Sequence, residues 1–157
     1  MTNPEARLLF ADSNVFVEDL FIAESAASVV VDMVAAGYYR LCTCQTVIDD
    51  VERAILSKLS KAPERLDQII EDWHQLQQEA NLQIAPDANP DLVRQTYESY
   101  IALMRHKNDI PILACALTIR PFVILSGNRE HFNDSVAAKS GIPMLSCEEF
   151  LEIAAII

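Results

Sequence analysis

The chain has 157 residues, of which 51% are hydrophobic and 3 are glycine, and its formal net charge is −11. This length fits one domain with a sizeable buried core. The negative charge argues against a protein that holds nucleic acid on a broad basic face. Residues 1–100 carry 17 acids and 7 bases, so a polyanion would be met mainly by the C-terminal half or through bound cations.

The N-terminal residues and the cysteines indicate a cellular compartment. Met1–Arg7 is polar and lacks the pattern of a signal peptide. The apolar runs Ala26–Val31 and Ile153–Ile157 are far shorter than the ~20 residues of a membrane span. The 4 cysteines lack the spacing of a zinc site, and buried free thiols are expected. We therefore expect a cytoplasmic protein with a single domain over residues 1–157.

Short apolar runs alternate with helical patterns in the first half of the chain. Leu8–Ala11 predicts a buried strand that ends at Asp12, and Ser13 and Asn14 can cap the helix that follows. The other predicted elements are a helix over Glu24–Ala36 that Gly37 ends, a strand over Tyr38–Cys44, an amphipathic helix over Gln45–Leu59, and a helix from Pro63 to near Asn81.

The second half continues the same alternation. Leu82–Ala85 is either a short strand or an extended link. Next come helices over Asp91–Met104 and Ile110–Ile119 and a strand over Phe122–Leu125. SGNREHF then turns into a short helix, which is followed by a strand over Met144–Leu145 and a last helix that Ser146 and Glu149 begin as a capping box. Strands separated by helices predict a parallel α/β sheet covered on both faces.

Polar groups cluster where predicted elements end. Asp12 follows the first strand, Asp109 precedes the buried helix, Asn128 follows the FVIL strand, and a further acid stands among Asp49, Asp50 and Glu52. Carboxylates in one crevice repel each other unless protons or cations neutralise them. Mg²⁺ prefers oxygen ligands, and such a site can activate water for phosphodiester cleavage. The residues therefore suggest a metal-dependent nuclease, whereas Asp12 alone is equally explained as a helix cap.

Five motifs also carry a family resemblance. In this order, LLFADSNVFV, CQTVIDDVERAI, NDIPILACAL, VILSGNREHF and IPMLSCEEFL resemble the PIN-domain family, especially its VapC-like toxin ribonucleases. The resemblance runs from about Leu8 to Leu151. It implies a PIN-like three-layer α/β/α fold with a central, mostly parallel sheet, an acidic pocket that binds Mg²⁺ or Mn²⁺, and hydrolysis of RNA. It also implies a homodimer and an antitoxin protein as partners.

The resemblance assigns four site residues. Asp12 matches the first acid, in D-S-N where D-T-N is usual, and Asp109 matches the third. The second acid is usually Glu, and the spacing fits Asp50. Asn128 stands in S-G-N where the family usually has Asp in T-x-D, which removes one negative charge and is expected to weaken a second metal site. Asp12, Asp50 and Asp109 are thus the implied metal ligands, and with Asn128 they form the implied catalytic set.

The second acid stays open between two candidates. At about 100° per residue, Glu52 lies beside the apolar stripe of its helix, whereas Asp50 lies nearly opposite that stripe. The helical wheel therefore favours Glu52 as the inward-facing acid, while the resemblance favours Asp50. For either residue, an ordinary solvated helix charge is the alternative.

Other candidate residues also have two interpretations. His131 is either a metal ligand or a residue that fixes the turn and anchors Phe132. Arg129 either binds a phosphate or pairs with an acid such as Glu130. Trp73 and Tyr97 could stack on bases, but their helical spacing favours packing roles.

These observations lead to one functional hypothesis and one rival. The hypothesis is a Mg/Mn-dependent endoribonuclease that cleaves single-stranded or looped RNA as the toxin of a toxin–antitoxin pair. The rival is a non-catalytic PIN-like binding or assembly module with a degenerate acidic site. The apolar surfaces of Glu24–Ala36 and Ile153–Ile157 exceed what one small core should absorb, so we expect a homodimer or an antitoxin complex through at least one of them.

Overall fold

A five-stranded parallel sheet organises the chain. The computed structural model describes residues 3–156, with side chains to residue 155. Its strands lie in the order β3-β2-β1-β4-β5. They are β1 (Leu8–Ala11), β2 (Arg40–Cys44), β3 (Gln83–Ala85), β4 (Val123–Leu125) and β5 (Met144–Leu145).

The strand order places a topological switch point beside β1. Leu9 of β1 pairs with Leu41 of β2 on one side and with Val123 of β4 on the other. The chain builds the sheet outward from β1 through β2 to β3, then returns to the opposite side of β1 for β4 and β5. In parallel sheets, ligand crevices lie beyond the carboxyl ends of the strands at such a point. We therefore expect the functional site at the carboxyl ends of β1 and β4.

Helices cover the sheet, which explains why its central strands are nearly continuous in apolar residues. The α1 helix packs against α2, α3 and α4, whereas α5 packs against α6 and α7. The helices are α1 (Ser13–Phe21), α2 (Ala26–Ala35), α3 (Gln45–Lys58), α4 (Leu66–Glu79), α5 (Pro90–Met104), α6 (Ile110–Ile119), α7 (Asp134–Ser140) and α8 (Cys147–Ile156). Within residues 3–156, none of the helices is both long and apolar enough to cross a membrane.

The short helix predicted after SGNREHF is α7. The segment after β4 is a series of turns, and α7 begins only at Asp134. The cause is local, because the Asn133 side chain accepts a hydrogen bond from the Val136 N–H at 3.0 Å and so caps the helix there. Phe132 is fully buried just before this cap, as expected of a residue that anchors the turn.

Several element boundaries differ from the sequence prediction. The helix predicted over Glu24–Ala36 spans only Ala26–Ala35, because Ser25 caps it and Glu24 takes the left-handed conformation with φ 57°. Pro63 begins a 3-10 turn over Pro63–Arg65, and the α-helix starts only at Leu66. The ambiguous Leu82–Ala85 segment contributes a short edge strand.

The last helix and the cysteines agree with the sequence prediction. Ser146 and Glu149 form the capping box, with Glu149 N–H donating to Ser146 Oγ at 3.1 Å and Ser146 N–H donating to Glu149 Oε1 at 2.9 Å. All cysteines in the described chain are buried free thiols, at Cys42, Cys44, Cys115 and Cys147.

Candidate metal centre

Asp12 lies at the switch point and is almost completely buried, with 4% of its surface exposed. It is the N-cap of α1, since its Oδ1 accepts a hydrogen bond from Ser13 N–H at 2.8 Å. This corrects the prediction that Ser13 and Asn14 cap the helix, because both residues already belong to its first turn. The cap uses one carboxylate oxygen and leaves Oδ2 directed to other partners.

Oδ2 of Asp12 connects β1 to the end of β4. It accepts a hydrogen bond from Ser126 Oγ at 2.8 Å and another from Asn14 Nδ2 at 3.2 Å. Asn14 in turn accepts a hydrogen bond from the Gly127 N–H at 2.7 Å, and Ser126 Oγ accepts one from the Asn128 N–H at 3.0 Å. The network fixes the loop that carries Asn128 against Asp12.

The charge of Asp12 is costly in this position. The pKa of its carboxyl is raised to about 6, mainly by burial. The hydrogen bonds from Ser126 and Ser13 oppose this shift, and the charges of Asp109 and Asp50 contribute to it. Each of these donors is neutral, so no cationic side chain among the described residues neutralises Asp12 directly. The site thus contains a buried carboxylate that interacts electrostatically with two other acids.

An open cleft of about 700 Å³ lies next to this carboxylate, and we call it the acidic cleft. Asp50 on α3, Asp109 and Asn128 all line it. Asp12 is not part of the lining, but the Ser126 hydroxyl connects it to the backbone of Asn128. The remaining lining residues are Thr46, Arg53, Tyr97, His106, Lys107, Asn108, Pro111 and His131. Three of the four residues that the sequence proposed therefore line one cleft, and the fourth is hydrogen-bonded to the loop that carries Asn128.

The other acids of α3 do not reach this cleft. Asp50 is partly buried and pairs with Arg53, whereas Asp49 is exposed and accepts a hydrogen bond from Gln45. Glu52 lies beside Trp73 in a separate pocket between α3 and α4. The helical wheel placed Glu52 near the apolar stripe, but α3 packs mainly against α1, and Glu52 lies on the side of α3 that borders α4.

Asp109 has a histidine partner that the sequence left ambiguous. His131 Nδ1 lies 2.5 Å from Asp109 Oδ2 and 2.8 Å from Asn128 Nδ2. The ring of His106 stacks on that of His131 with centroids 5.0 Å apart and 13° between the planes. His131 therefore contacts both the third acid and the residue at the fourth position.

Two sets of residues that share Asp109 carry donor atoms suited to a cation. Among the described residues, only the set that includes the histidines has its ligand atoms close together. Asp12, Asp50 and Asp109 offer only carboxylate oxygens, which suit hard ions such as Mg²⁺ or Mn²⁺. The ligand atoms of His106, Asp109 and His131 all lie within 4.8 Å of one another and add imidazole nitrogens. Asp12, Asp50 and Asp109 are related through their charges, since Asp109 and Asp50 both contribute to the raised pKa of Asp12.

Two residues singled out in the sequence have structural roles. Arg129 donates to Glu149 Oε1 at 2.9 Å and to Asp134 Oδ1 at 2.7 Å, and it also contacts the carbonyl of Phe132. It thus pairs with nearby acids, although not with Glu130. Trp73 is buried, with 3% of its surface exposed, and packs edge-on against Phe16 with centroids 5.3 Å apart.

Sequence reasoning missed the roles of two residues. The hydroxyl of Ser126 is the bridge between Asp12 and the Asn128 loop, a role that the motifs did not assign. His106 had no motif to identify it, since its relation to His131 arises from loops 25 residues apart in sequence. The hydroxyl in S-G-N, directly after a buried strand, was the available signal for Ser126.

The fold and the site define a parallel α/β protein with an acidic cleft at its switch point. A family model described as the PIN domain matches residues 8–130 of the chain. The chain belongs to the PIN domain family. No curated protein is similar enough in sequence to count as a match.

Two solved structures share the fold at low sequence identity. VapBC2 from Rickettsia felis, solved bound to a DNA fragment from its promoter, superposes with a TM-score of 0.61 at 12% identity, covering 87% of this chain and 96% of that one. PAE2754 from Pyrobaculum aerophilum superposes with a TM-score of 0.65 at 13% identity, covering 96% of this chain and 90% of that one. Both comparisons support the three-layer α/β architecture.

Proposed function

We propose that the protein is a Mg²⁺- or Mn²⁺-dependent endoribonuclease of the VapC-like type. One observation carries the proposal: Asp12, buried at the switch point, has a pKa raised in part by the charges of Asp109 and Asp50. A cluster of carboxylates around a buried acid, open to a cleft, is the arrangement that a divalent cation stabilises. Membership of the PIN domain family supports the same conclusion.

Asp12, Asp50 and Asp109 would hold the cation. A bound divalent ion supplies Lewis-acid chemistry, since it polarises a phosphate oxygen and lowers the pKa of a water. Ser126 and the Ser13 N–H orient the Asp12 carboxylate, and His131 contacts Asp109. Asn128 lines the same cleft without adding charge, which fits a role in orienting substrate or water. The residues around the cation are thus preorganised by hydrogen bonds from neutral donors.

Single-stranded or looped RNA is the substrate class that we propose. A flexible single strand can bend its phosphates into the acidic cleft, whereas a rigid duplex would lie along the surface of a protein with net charge −11. The open width of the acidic cleft and the presence of Lys107 and Arg53 on its lining favour an anionic chain.

The experiment is RNA cleavage by the purified protein with Mg²⁺ or Mn²⁺, with and without a chelator. We expect cleavage that the chelator abolishes, and a decrease of orders of magnitude in Asp12→Asn. Asp49→Asn is the matched control, because Asp49 is an exposed acid outside the cleft and its loss should leave cleavage unchanged. Cleavage that survives the chelator, or equal rates in Asp12→Asn, would overturn the metal mechanism.

The partners belong to the same proposal. We infer that the protein acts as the toxin of a toxin–antitoxin pair, that it forms a homodimer, and that it works in the cytoplasm. The fold that it shares with VapBC2 supports the first inference. The exposed Val29 on α2 and Ile153 on α8 support the second, since α2 and α8 pack side by side and would offer apolar surface together.

A non-catalytic binding module is the second candidate. The ion pair between Asp50 and Arg53 favours it, because an arginine already neutralises one of the three acids. The neutral Asn128 at the fourth position points in the same direction. Calorimetric titration with Mn²⁺ separates the two functions: a nuclease binds the ion, and Arg53 must release Asp50, whereas a degenerate pocket does not bind it.

A further inference from the structure

An apolar pocket of about 420 Å³ adjoins the acidic cleft. Tyr97, Lys107 and Pro111 line both, so the two cavities share a common border. We call the second cavity the side pocket. Its remaining walls include Pro90 and Val93, and Arg94 lies at its edge. The volume lies within the range of about 300–1,000 Å³ that is typical of small-molecule sites.

Tyr97 is the aromatic residue on this border. Its neighbours on α5, Thr96 and Tyr100, are buried, but Tyr97 itself keeps 45% of its surface exposed. Within residues 3–156 its ring has neither a stacking partner nor a hydrogen bond. The Tyr97 ring is therefore available to a ligand, because it lies at the edge of a cleft and is not packed into the core.

The charges around the side pocket differ from those of the protein as a whole. Lys107 lies at the border of both cavities and forms no ion pair within the described residues. Arg94 pairs only with Asp91, at 3.2 Å on an exposed helix face, where such a pair contributes little. An acidic protein thus places cations beside an apolar pocket next to its carboxylates. This combination suits a molecule with a flat apolar group and flanking negative charges.

We propose that Tyr97 is the platform of a nucleobase subsite. An unpaired base of single-stranded RNA stacks on the Tyr97 ring in the side pocket, Lys107 and Arg94 contact the flanking phosphates, and the next phosphate enters the acidic cleft. This inference rests on the proposed ribonuclease function and gives it a determinant of substrate choice. A paired base cannot reach the ring, so the subsite selects unpaired nucleotides.

The test measures RNA binding separately from cleavage. A fluorescently labelled single-stranded hexaribonucleotide is titrated with protein in Ca²⁺, and the Kd is read from anisotropy. Tyr97→Leu should raise the Kd about ten-fold or more, since base stacking on an aromatic ring contributes at that level. Tyr97→Phe should bind like the wild type because it keeps the ring. Tyr38→Leu is the matched control, since Tyr38 is 71% exposed and lies just before β2, away from both cavities.

A series of abasic oligonucleotides identifies the contact. One abasic position should weaken binding to the wild type and have no further effect in Tyr97→Leu, because both changes remove the same stacking contact. Equal Kd values for Tyr97→Leu and wild type, equal abasic losses in the two proteins, or no binding by the wild type would each overturn the subsite. Thermal unfolding of Tyr97→Leu checks that the fold is retained.

Cleavage in Mg²⁺ distinguishes failure of the subsite from failure of the proposed function. Binding that depends on Tyr97 without any cleavage would overturn the nuclease and support the subsite. Cleavage with an unchanged Kd in Tyr97→Leu would support the nuclease and overturn the subsite.

Discussion

The Ser126 hydroxyl donates a hydrogen bond of 2.8 Å to Asp12 across 114 positions of the sequence. The two residues follow adjacent strands, β1 and β4, at the point where the sheet order reverses. Ser126 Oγ also accepts from the Asn128 N–H, so one buried hydroxyl sets the position of two proposed site residues. Its removal should therefore affect the site more than the fold.

Ser126→Ala should weaken Mn²⁺ binding by roughly 10- to 100-fold, the usual cost of losing a partner that orients a metal ligand. It removes a donor that lowers the pKa of Asp12, so the ionised carboxylate becomes less favourable. Ser140→Ala is the control, because its buried hydroxyl bonds only to Ala137 and Ile142. Calorimetry measures both affinities, and equal affinities would show that the bridge does not orient Asp12.

Asp12→Asn should change how stability depends on pH in the metal-free protein. The pKa of Asp12 is raised from 3.8 to about 6, so the folded state keeps a proton that the unfolded state has lost between these values. The contribution of Asp12 to stability therefore falls as pH rises from about 4 to 6. Above pH 6 the loss in the free energy of unfolding reaches its full value of about 3 kcal/mol.

The measurement is urea unfolding of both proteins between pH 4 and 8 in chelator. The free energy of unfolding of Asp12→Asn, relative to wild type, should increase by up to about 3 kcal/mol across this range. Asp49→Asn should show no such trend. A constant difference between wild type and Asp12→Asn would mean that Asp12 is not destabilised by burial.

Asp50→Ala and Glu52→Ala test which acid of α3 is the metal ligand in the acidic cleft. Asp50 lines the acidic cleft and Glu52 lines a different pocket, so only Asp50→Ala should abolish Mn²⁺ binding. The two variants control for each other because they lie two positions apart on one helix. Loss of binding in Glu52→Ala alone would assign the role to Glu52 and support the helical wheel.

Val29→Asp tests the proposed homodimer. Val29 is 43% exposed on α2, and a charge there would be buried without a partner if α2 forms the contact. Light scattering at tens of micromolar should give twice 17.5 kDa for the wild type and 17.5 kDa for the variant. Leu56→Asp, on the exposed side of α3, should leave the mass unchanged. A wild-type monomer would contradict the proposal.

The sequence by itself determined the parallel α/β fold and most element positions. Apolar runs such as Leu8–Ala11 and Ile110–Ile119 contain almost no polar residues, so most of their side chains are buried. The Ser146 and Glu149 capping box was predictable because its partners lie three residues apart. Local interactions of this kind depend only on residues that are close together in the sequence.

Tertiary structure decided what depends on residues far apart in sequence. Whether Asp50 or Glu52 faces the cleft depends on which elements pack around α3. The spacing of apolar residues along α3 predicts its buried face but does not predict which elements cover it. Trp73 is buried and Tyr97 exposed although both have helical spacing, because α4 packs against α1 while Tyr97 lies at a cleft border. The reversal of strand order at β1 creates that cleft, and only the assembled sheet defines it.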